Sequence, residues 1–372
     1  MNFLCVLSPT LFLVFFDGRL TSAYNVSNPQ VGKLIAVAAV YRHGDRAPVI
    51  SFPHDKYYDP SYWPMGMGQL TQDGIKKLYN LGQSFRQRYQ NFLSDIYSPN
   101  EIYVHSSQVD RCLMSAAANL AGLYPPKSFQ LWNQNILWQP IPIHTTNIKD
   151  DHIITEKRHC RKSRIIMEHL KNQTYPPLYR KYSKVIEYLS LKTGWNPISL
   201  SNIKTLNSVI NTYKSYNKSF VPEWLSKLET GVLEYFSDIV YGIQSSTPEI
   251  ARLRIGPFFN YIIQNFDSFL DSQAAPTPKF LAISAHGTMI SSTLGAMQAN
   301  RTKIIKFGDS VLWELRQRNN GSYYVNVVYK NETDFVVLKL LRCDYDCNYN
   351  NFKKILANIV VNITQWEYEC NN

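Results

Sequence analysis

An α/β fold carrying a helical insertion is what this sequence predicts, and three observations lead there. The run Leu34-Ile35-Ala36-Val37-Ala38-Ala39-Val40 is continuously apolar and stops at the charged cluster Arg42-His43-Gly44-Asp45-Arg46, the pattern of a strand buried on both faces of a sheet. Strand-like and helix-like segments then alternate as far as about residue 123. Between about residues 150 and 275 helical patterns dominate, before Lys279-Phe280-Leu281-Ala282-Ile283-Ser284-Ala285 forms another short apolar strand, ending at His286.

Each element has its own signal. In open α/β sheets ligands bind beyond the C-terminal ends of the strands, which places His43 and His286 on the functional edge. A helix is expected from Thr71, a residue suited to the N-cap, with Ile75, Leu78, Phe85, Tyr89 and Phe92 as its apolar stripe. A short strand at 102–104 and a helix over 109–123 follow. Within and after the insertion, 222–240, 249–270 and 288–297 read as helices. Strands at 310–317 and 323–329 flank Asn319-Asn320-Gly321-Ser322, a hairpin turn of the kind Asn-Gly favours. Neither an internal repeat nor a low-complexity linker interrupts the chain.

Composition narrows the class further. A chain of 372 residues, 45% of them hydrophobic, can bury a core and build two units around one site. Its net charge of +11 favours anionic partners. Nucleic acid is not expected, because the basic residues are scattered and no zinc-knuckle spacing or other nucleic-acid motif is present. Residues 1–23 combine an apolar run from Phe3 to Phe16 with small residues at Thr21-Ser22-Ala23, as a cleaved signal peptide does. A membrane anchor is the competing reading, but the run is shorter than the roughly 20 residues a spanning helix needs. The C-terminal Cys370-Asn371-Asn372 carries no hydrophobic tail, so no membrane anchor is expected there either. Seven Asn-x-Ser/Thr sequons, at Asn25, Asn172, Asn217, Asn300, Asn320, Asn331 and Asn362, suit a secreted, extracellular protein. With Cys5 lost in the leader, Cys112, Cys160, Cys343, Cys347 and Cys370 leave an odd thiol. Cys343 and Cys347 can bridge one another or, as C-x3-C, hold zinc; the absence of a second ligand pair nearby favours the bridge.

The chemistry concentrates in Arg42-His43-Gly44-Asp45-Arg46-Ala47-Pro48. Guanidinium is permanently charged and matches phosphate oxygens bidentately, so two arginines beside one histidine can hold a phosphoryl group against the imidazole. In-line attack would then give a phosphohistidine and split hydrolysis into two displacements, with no cofactor or metal required. Gly44 would let the backbone approach the ligand closely. The bland alternative for this cluster is a solvated turn at a strand end. Spacing alone would likewise make Arg111 a helix-surface arginine, and for His286 it leaves a satisfied buried histidine and a functional one equally open.

The heptad from Arg42 to Pro48 resembles the RHGxRxP signature of the histidine acid phosphatases, a family in the phosphoglycerate mutase-like superfamily. The similarity continues through Trp63-Pro64-x-Gly66-x-Gly68-Gln69-Leu70-Thr71, Val109-Asp110-Arg111-Cys112-Leu113-Met114-Ser115-Ala116, Leu137-Trp138-Gln139-Pro140-Ile141-Pro142 and Ser284-Ala285-His286. It implies a phosphate monoester substrate, with Arg42, Arg46 and Arg111 binding phosphate, His43 as the attacking group and His286 as a second catalytic, phosphate-binding histidine. A central, mainly parallel sheet flanked by helices is implied too, with a smaller helical cap domain. On this division residues 24–150 and 245–372 form the α/β catalytic domain and 151–244 the cap. Disulfides Cys160–Cys370 and Cys343–Cys347 are implied, leaving Cys112 free, and dimers are common in the family, so a homodimer is expected.

One departure bears on activity. The family carries His-Asp where this chain has His286-Gly287, and that Asp protonates the leaving alcohol. General acid catalysis is worth about 10²- to 10⁴-fold, so its loss implies slow turnover of poor leaving groups, with phenolic ones least affected. Asp45 and Asp55 are conceivable substitutes. The alternative is an inactive relative that binds phosphorylated ligands.

Overall fold

The computed structural model describes residues 32–154, 160–275, 277–299 and 305–372. The expected signal peptide at 1–23, with Cys5, and the sequons at Asn25 and Asn300 lie outside the described residues.

The first apolar run forms β1 (Lys33–Arg42), wholly buried from Ala36 to Tyr41. It extends two residues beyond the uninterrupted apolar stretch, so Arg42 is the last strand residue and His43 the first to leave the sheet. Beside it runs β4 (Phe280–Ala285), parallel and in register from Val37/Phe280 to Arg42/Ala285. Strands β2 (Ile102–Ser107) and β3 (His144–Thr146) continue the parallel half, in the order β3-β2-β4-β1. The other half is antiparallel: β5 (Ser310–Gln317) pairs with β1, β6 (Tyr323–Lys330) with β5, and β7 (Phe335–Leu338) and β8 (Cys347–Asn348) with β6. The β5–β6 hairpin turns where Asn-Gly predicts, with Gly321 at φ +82°.

Helices cover both faces. On one, α1 (Gln72–Arg88) and α2 (Asp110–Leu123) bury Leu78, Phe85, Leu120 and Leu123 against Val37, Ala39, Tyr41 and Val104. Thr71 caps α1, its hydroxyl accepting from Gly74 N at 3.1 Å. The predicted stripe overruns this helix: α1 ends at Arg88, Tyr89 is its C-cap and Phe92 lies beyond. The second face is covered by α7 (Pro248–Asp267), whose Ile255, Phe258, Phe259 and Ile262 pack with Ala36, Ala38, Val40, Ile283 and Trp313, and by α8 (Gly287–Ala296).

Over the C-terminal edge of the sheet sits a helical layer of α3 (Arg161–Lys181), α4 (Ser183–Thr193), α5 (Leu200–Tyr216) and α6 (Val232–Gly242). Its core joins Leu189, Ile203, Leu206, Ile210 and Phe236 to Ala47, Phe52 and Trp63, which belong to the loop after β1. The helix expected over 222–240 is divided. A short 3-10 turn at Glu223–Lys227 precedes α6, and Gly231 between them takes the left-handed φ of +87° that ends one helix and admits the next. Helices α9 (Tyr349–Leu356) and α10 (Ile363–Asn371) close the chain. Cys160, just before α3, is bridged to Cys370 in α10, and Cys343 to Cys347; Cys112 is free and buried. No helix among the described residues is long and apolar enough to cross a membrane.

One buried ion cluster stabilises the antiparallel half. Glu314, in the middle of β5 and 1% exposed, accepts from Arg88 at 2.8 Å, Arg316 at 2.8 Å and Tyr89 Oη at 2.8 Å. Burial pushes its carboxyl up, but the two guanidinium groups outweigh burial and hold it below the usual range. Removing one partner of a buried ion pair leaves the others uncompensated, so Glu314→Ala should cost about 3–5 kcal/mol. Urea denaturation would check this; a loss under about 1 kcal/mol would place the cluster with surface pairs.

Candidate active site

The parallel pairing of β1 with β4 brings the two strand-end histidines together. His43 N donates to Ala285 O at 3.1 Å, and the two imidazole rings lie 5.6 Å apart, edge to face. His286 is also the N-cap of α8, and its Nε2 is 3.1 Å from Ser107 Oγ at the end of β2. Arg111 enters from the first turn of α2, which starts at the same edge. Two helix N-termini therefore add their positive ends to a region already rich in cations.

Around His43 the loop is tightly packed. Gly44 N donates to Ser115 Oγ at 3.1 Å, and a side chain at Gly44 would collide with the backbone of Gly74. Close approach to α1, rather than to a ligand alone, is thus what the glycine permits. His43 is 3% exposed, and its Nδ1 lies 2.9 Å from Gly44 O. A carbonyl can only accept, so Nδ1 carries the proton and Nε2 keeps its lone pair. Burial first, then Arg42, Arg111, His286 and Arg46, push the His43 pKa well below the ordinary value of 6.5.

The three arginines share this environment. Burial, with Arg111 and Arg42 as neighbours, pushes Arg46 down to about 9, and burial lowers Arg42 and Arg111 as well. Tyr241, from α6, lies close enough to Arg42 and Arg46 to oppose their shifts. Nε of Arg42, Arg46 and Arg111 is buried without a hydrogen-bond partner among the described residues. Buried donors are rarely left so, and three guanidinium groups around one histidine have the chemistry to accept a multivalent anion.

Other expected participants fall differently. Asp45 is buried and committed to Lys77 Nζ at 2.8 Å and Ser215 Oγ at 2.6 Å, tying the loop to α1 and α5. Asp55 accepts from Tyr57 N at 3.0 Å and from the hydroxyls of Ser51 and Tyr213. Neither offers an unengaged carboxylate. Cys112 lies beneath the site, its Sγ 3.8 Å from both ring nitrogens of His286, with burial pushing the thiol up to about 12. Gly287 follows His286 in ordinary helical backbone, and a Cβ there would stand 3.1 Å from Arg42 Cδ and 3.2 Å from Arg42 Nε. Sequence reasoning missed Ser107, Tyr241 and Phe307. Ser107 was legible in principle, as the end of a strand neighbouring β4; the other two reach the site from segments with no local signal.

Fold and site together define an α/β protein with a buried, arginine-ringed histidine at the C-terminal edge of its parallel strands. The model of the histidine phosphatase superfamily (branch 2) matches residues 33–330. The chain is 34% identical to the lysosomal acid phosphatase of Xenopus laevis over 352 residues, covering 92% of this chain and 79% of that protein. With the prostatic acid phosphatase of Rattus norvegicus it shares 32% over 349 residues, covering 92% and 90%. Among solved structures, the phytase from Citrobacter braakii superposes with a TM-score of 0.69 at 20% identity, covering 91% of this chain and 99% of that one. That last likeness speaks for the fold alone. The chain belongs to branch 2 of the histidine phosphatase superfamily and, within it, to the phosphomonoester hydrolases of the acid phosphatase type.

Proposed function

We propose that the protein is a secreted acid phosphatase that hydrolyses phosphate monoesters through a phosphohistidine on His43. The observation that carries this reading is the His43 imidazole, held with Nδ1 on Gly44 O at 2.9 Å and kept neutral by burial and its cationic neighbours. Arg42, Arg46, Arg111 and His286 bind the phosphoryl oxygens. The Nε2 lone pair forms the N–P bond as the ester P–O bond breaks, and the leaving oxygen departs with the bonding pair. Water then attacks phosphorus, releasing inorganic phosphate and restoring the imidazole. A depressed His43 pKa suits acid conditions, because the nucleophile stays unprotonated until pH falls through that lowered value.

With glycine at 287 and Asp45 and Asp55 both engaged, the leaving oxygen lacks the family's proton donor. We therefore assign aryl phosphates as better substrates than alkyl phosphates. The helical layer over 151–244 acts as the cap of the site. Secretion is supported by the two disulfides, which suit an oxidising compartment, and by exposed sequons at Asn172, Asn217, Asn320 and Asn362, with Asn331 half-buried. A homodimer belongs to the same reading, and sedimentation of the intact protein would test it.

Nitrophenyl phosphate hydrolysis at acid pH, with inorganic phosphate as competitor, tests the chemistry. Arg46→Ala and Arg111→Ala should each weaken phosphate inhibition about tenfold or more, since hydrogen bonds to a charged group contribute about 1.5–3 kcal/mol. Unchanged inhibition in both would move the phosphate site elsewhere. Phosphate binding without turnover would favour the second reading, an inactive relative that binds phosphorylated ligands, to which Gly287 alone points.

A further inference from the structure

The segment 305–309 crosses the strand ends just before β5 and is held from several sides. Lys306 N donates to Asp309 Oδ2 at 2.8 Å, the Tyr329 hydroxyl donates to the same oxygen, and Arg42 N donates to Asp309 O at 2.9 Å. Its Ile305 carbonyl accepts from Arg42 Nη1. At its centre Phe307, 8% exposed, turns its ring toward the site. The Arg42 Cζ lies 3.9 Å from the ring centroid and the Arg46 Cζ 6.0 Å, while the His43 ring is 5.6 Å away at a tilt of 42°. One side chain thus touches the histidine and two of the arginines around it.

We infer that Phe307 is a positioning residue for the phosphate site: its ring face holds Arg42 and Arg46 in place without taking their N–H donors, so that those the backbone does not already engage, Nε of each among them, stay free for the anion. The inference rests on the reading that these arginines bind phosphate. Like-charged guanidinium groups converging on one histidine repel one another. A carboxylate placed among them would offset the repulsion, but it would occupy the same N–H donors, compete with phosphate and titrate in the acid range. An aromatic ring does neither, for its negative face attracts the flat of a guanidinium while every N–H points along the guanidinium plane. Nε of both arginines, buried and without a protein acceptor among the described residues, agrees with that division of faces and edges. Arg42, at 3.9 Å, is gripped the more firmly of the two. Phe307 also walls one side of His43, limiting the directions in which the imidazole can move.

The test compares Phe307→Leu and Phe307→Met, which keep an apolar side chain of similar bulk, with Phe307→Tyr, which keeps the ring. All are made in the full-length protein, and inorganic phosphate and vanadate are titrated as competitors of nitrophenyl phosphate. Leu and Met should weaken inhibition by both anions about three- to thirtyfold, the span of a partly desolvated cation–π contact, with Tm close to that of the parent. Tyr should restore parental inhibition, which a role in packing alone does not require. Parental inhibition in Leu and Met, a loss in Tyr as large as in Leu, or failure of both Leu and Met to fold would overturn the inference, the last by making Phe307 structural. Should the parent itself show neither turnover nor inhibition by phosphate, the fault lies with the phosphatase reading rather than with Phe307.

Discussion

His43→Ala brings phosphate release to background while the fold persists. The substitution removes the one group that can form the N–P bond, so the two-step route closes instead of merely slowing. The surrounding arginines remain, and the variant should still bind phosphate or vanadate. Retention of structure is expected because Gly44 N–Ser115 Oγ and His43 N–Ala285 O, the contacts that shape the loop, do not involve the imidazole. Two measurements check this: acid-quenched parent should carry acid-labile phosphate on His43 and the variant none, and far-UV circular dichroism should be unchanged. Undiminished activity in a folded variant would remove His43 from the mechanism. In the parent, the acid limb of the rate profile should lie well below the pH 6.5 of an ordinary imidazole, since burial and four cationic or imidazole neighbours lower the pKa of His43. An acid limb at or above that value would mean that the phosphoryl group meets a different base.

Gly287→Asp should accelerate alkyl phosphates by something approaching the roughly 10²-fold lower bound of general acid catalysis, and nitrophenyl phosphate much less. The backbone presents no obstacle, because position 287 is the first residue of α8 and no left-handed φ is needed there. What resists is Arg42, whose side chain occupies the space: a Cβ at 287 would sit 3.1–3.2 Å from Arg42 Cδ and Nε, closer than comfortable contact by a few tenths of an ångström. Arginine is flexible, but this one is held by Ile305 O and Phe307, so it must shift within that grip. The new carboxyl would also stand beside a guanidinium, which favours its charged form and lowers the pH at which it can donate a proton. The gain should therefore be greatest at the acid end and fall as pH rises through the carboxyl pKa. Equal rates for parent and folded variant on both substrate classes would show that another group already supplies the proton or that the site only binds.

Much of this molecule was legible in its residues, and the boundary of legibility has a physical basis. Buried parallel strands are continuous apolar runs, so β1 and β4 announced themselves, as did the residues that end them, Arg42-His43 and His286. Thr71 and the Asn-Gly turn were equally local, because capping and turn geometry depend on the residues that adopt them. The division of the helix expected over 222–240 was less visible: a single glycine in an apolar pattern does not declare whether it will take a left-handed φ. The short spacing of Cys343 and Cys347 already favoured their bridge, whereas the Cys160–Cys370 pairing and the interest in Arg111 came from motif similarity, which spacing could not supply.

By itself, then, the sequence determined the α/β class, the strand-end histidine with its arginines and the missing carboxyl at 287. Tertiary structure alone decided the rest: that Asp45 and Asp55 are committed to Lys77, Ser215 and Tyr213, that Arg42 lies against Gly287, and that Phe307 underlies the arginines. Periodicity and motifs report what a residue does with its neighbours in the chain. These contacts join residues separated by 32 to 265 positions that meet only when β1, β4 and β5 come together beneath the helical layer, where burial and charge are properties of the assembled site.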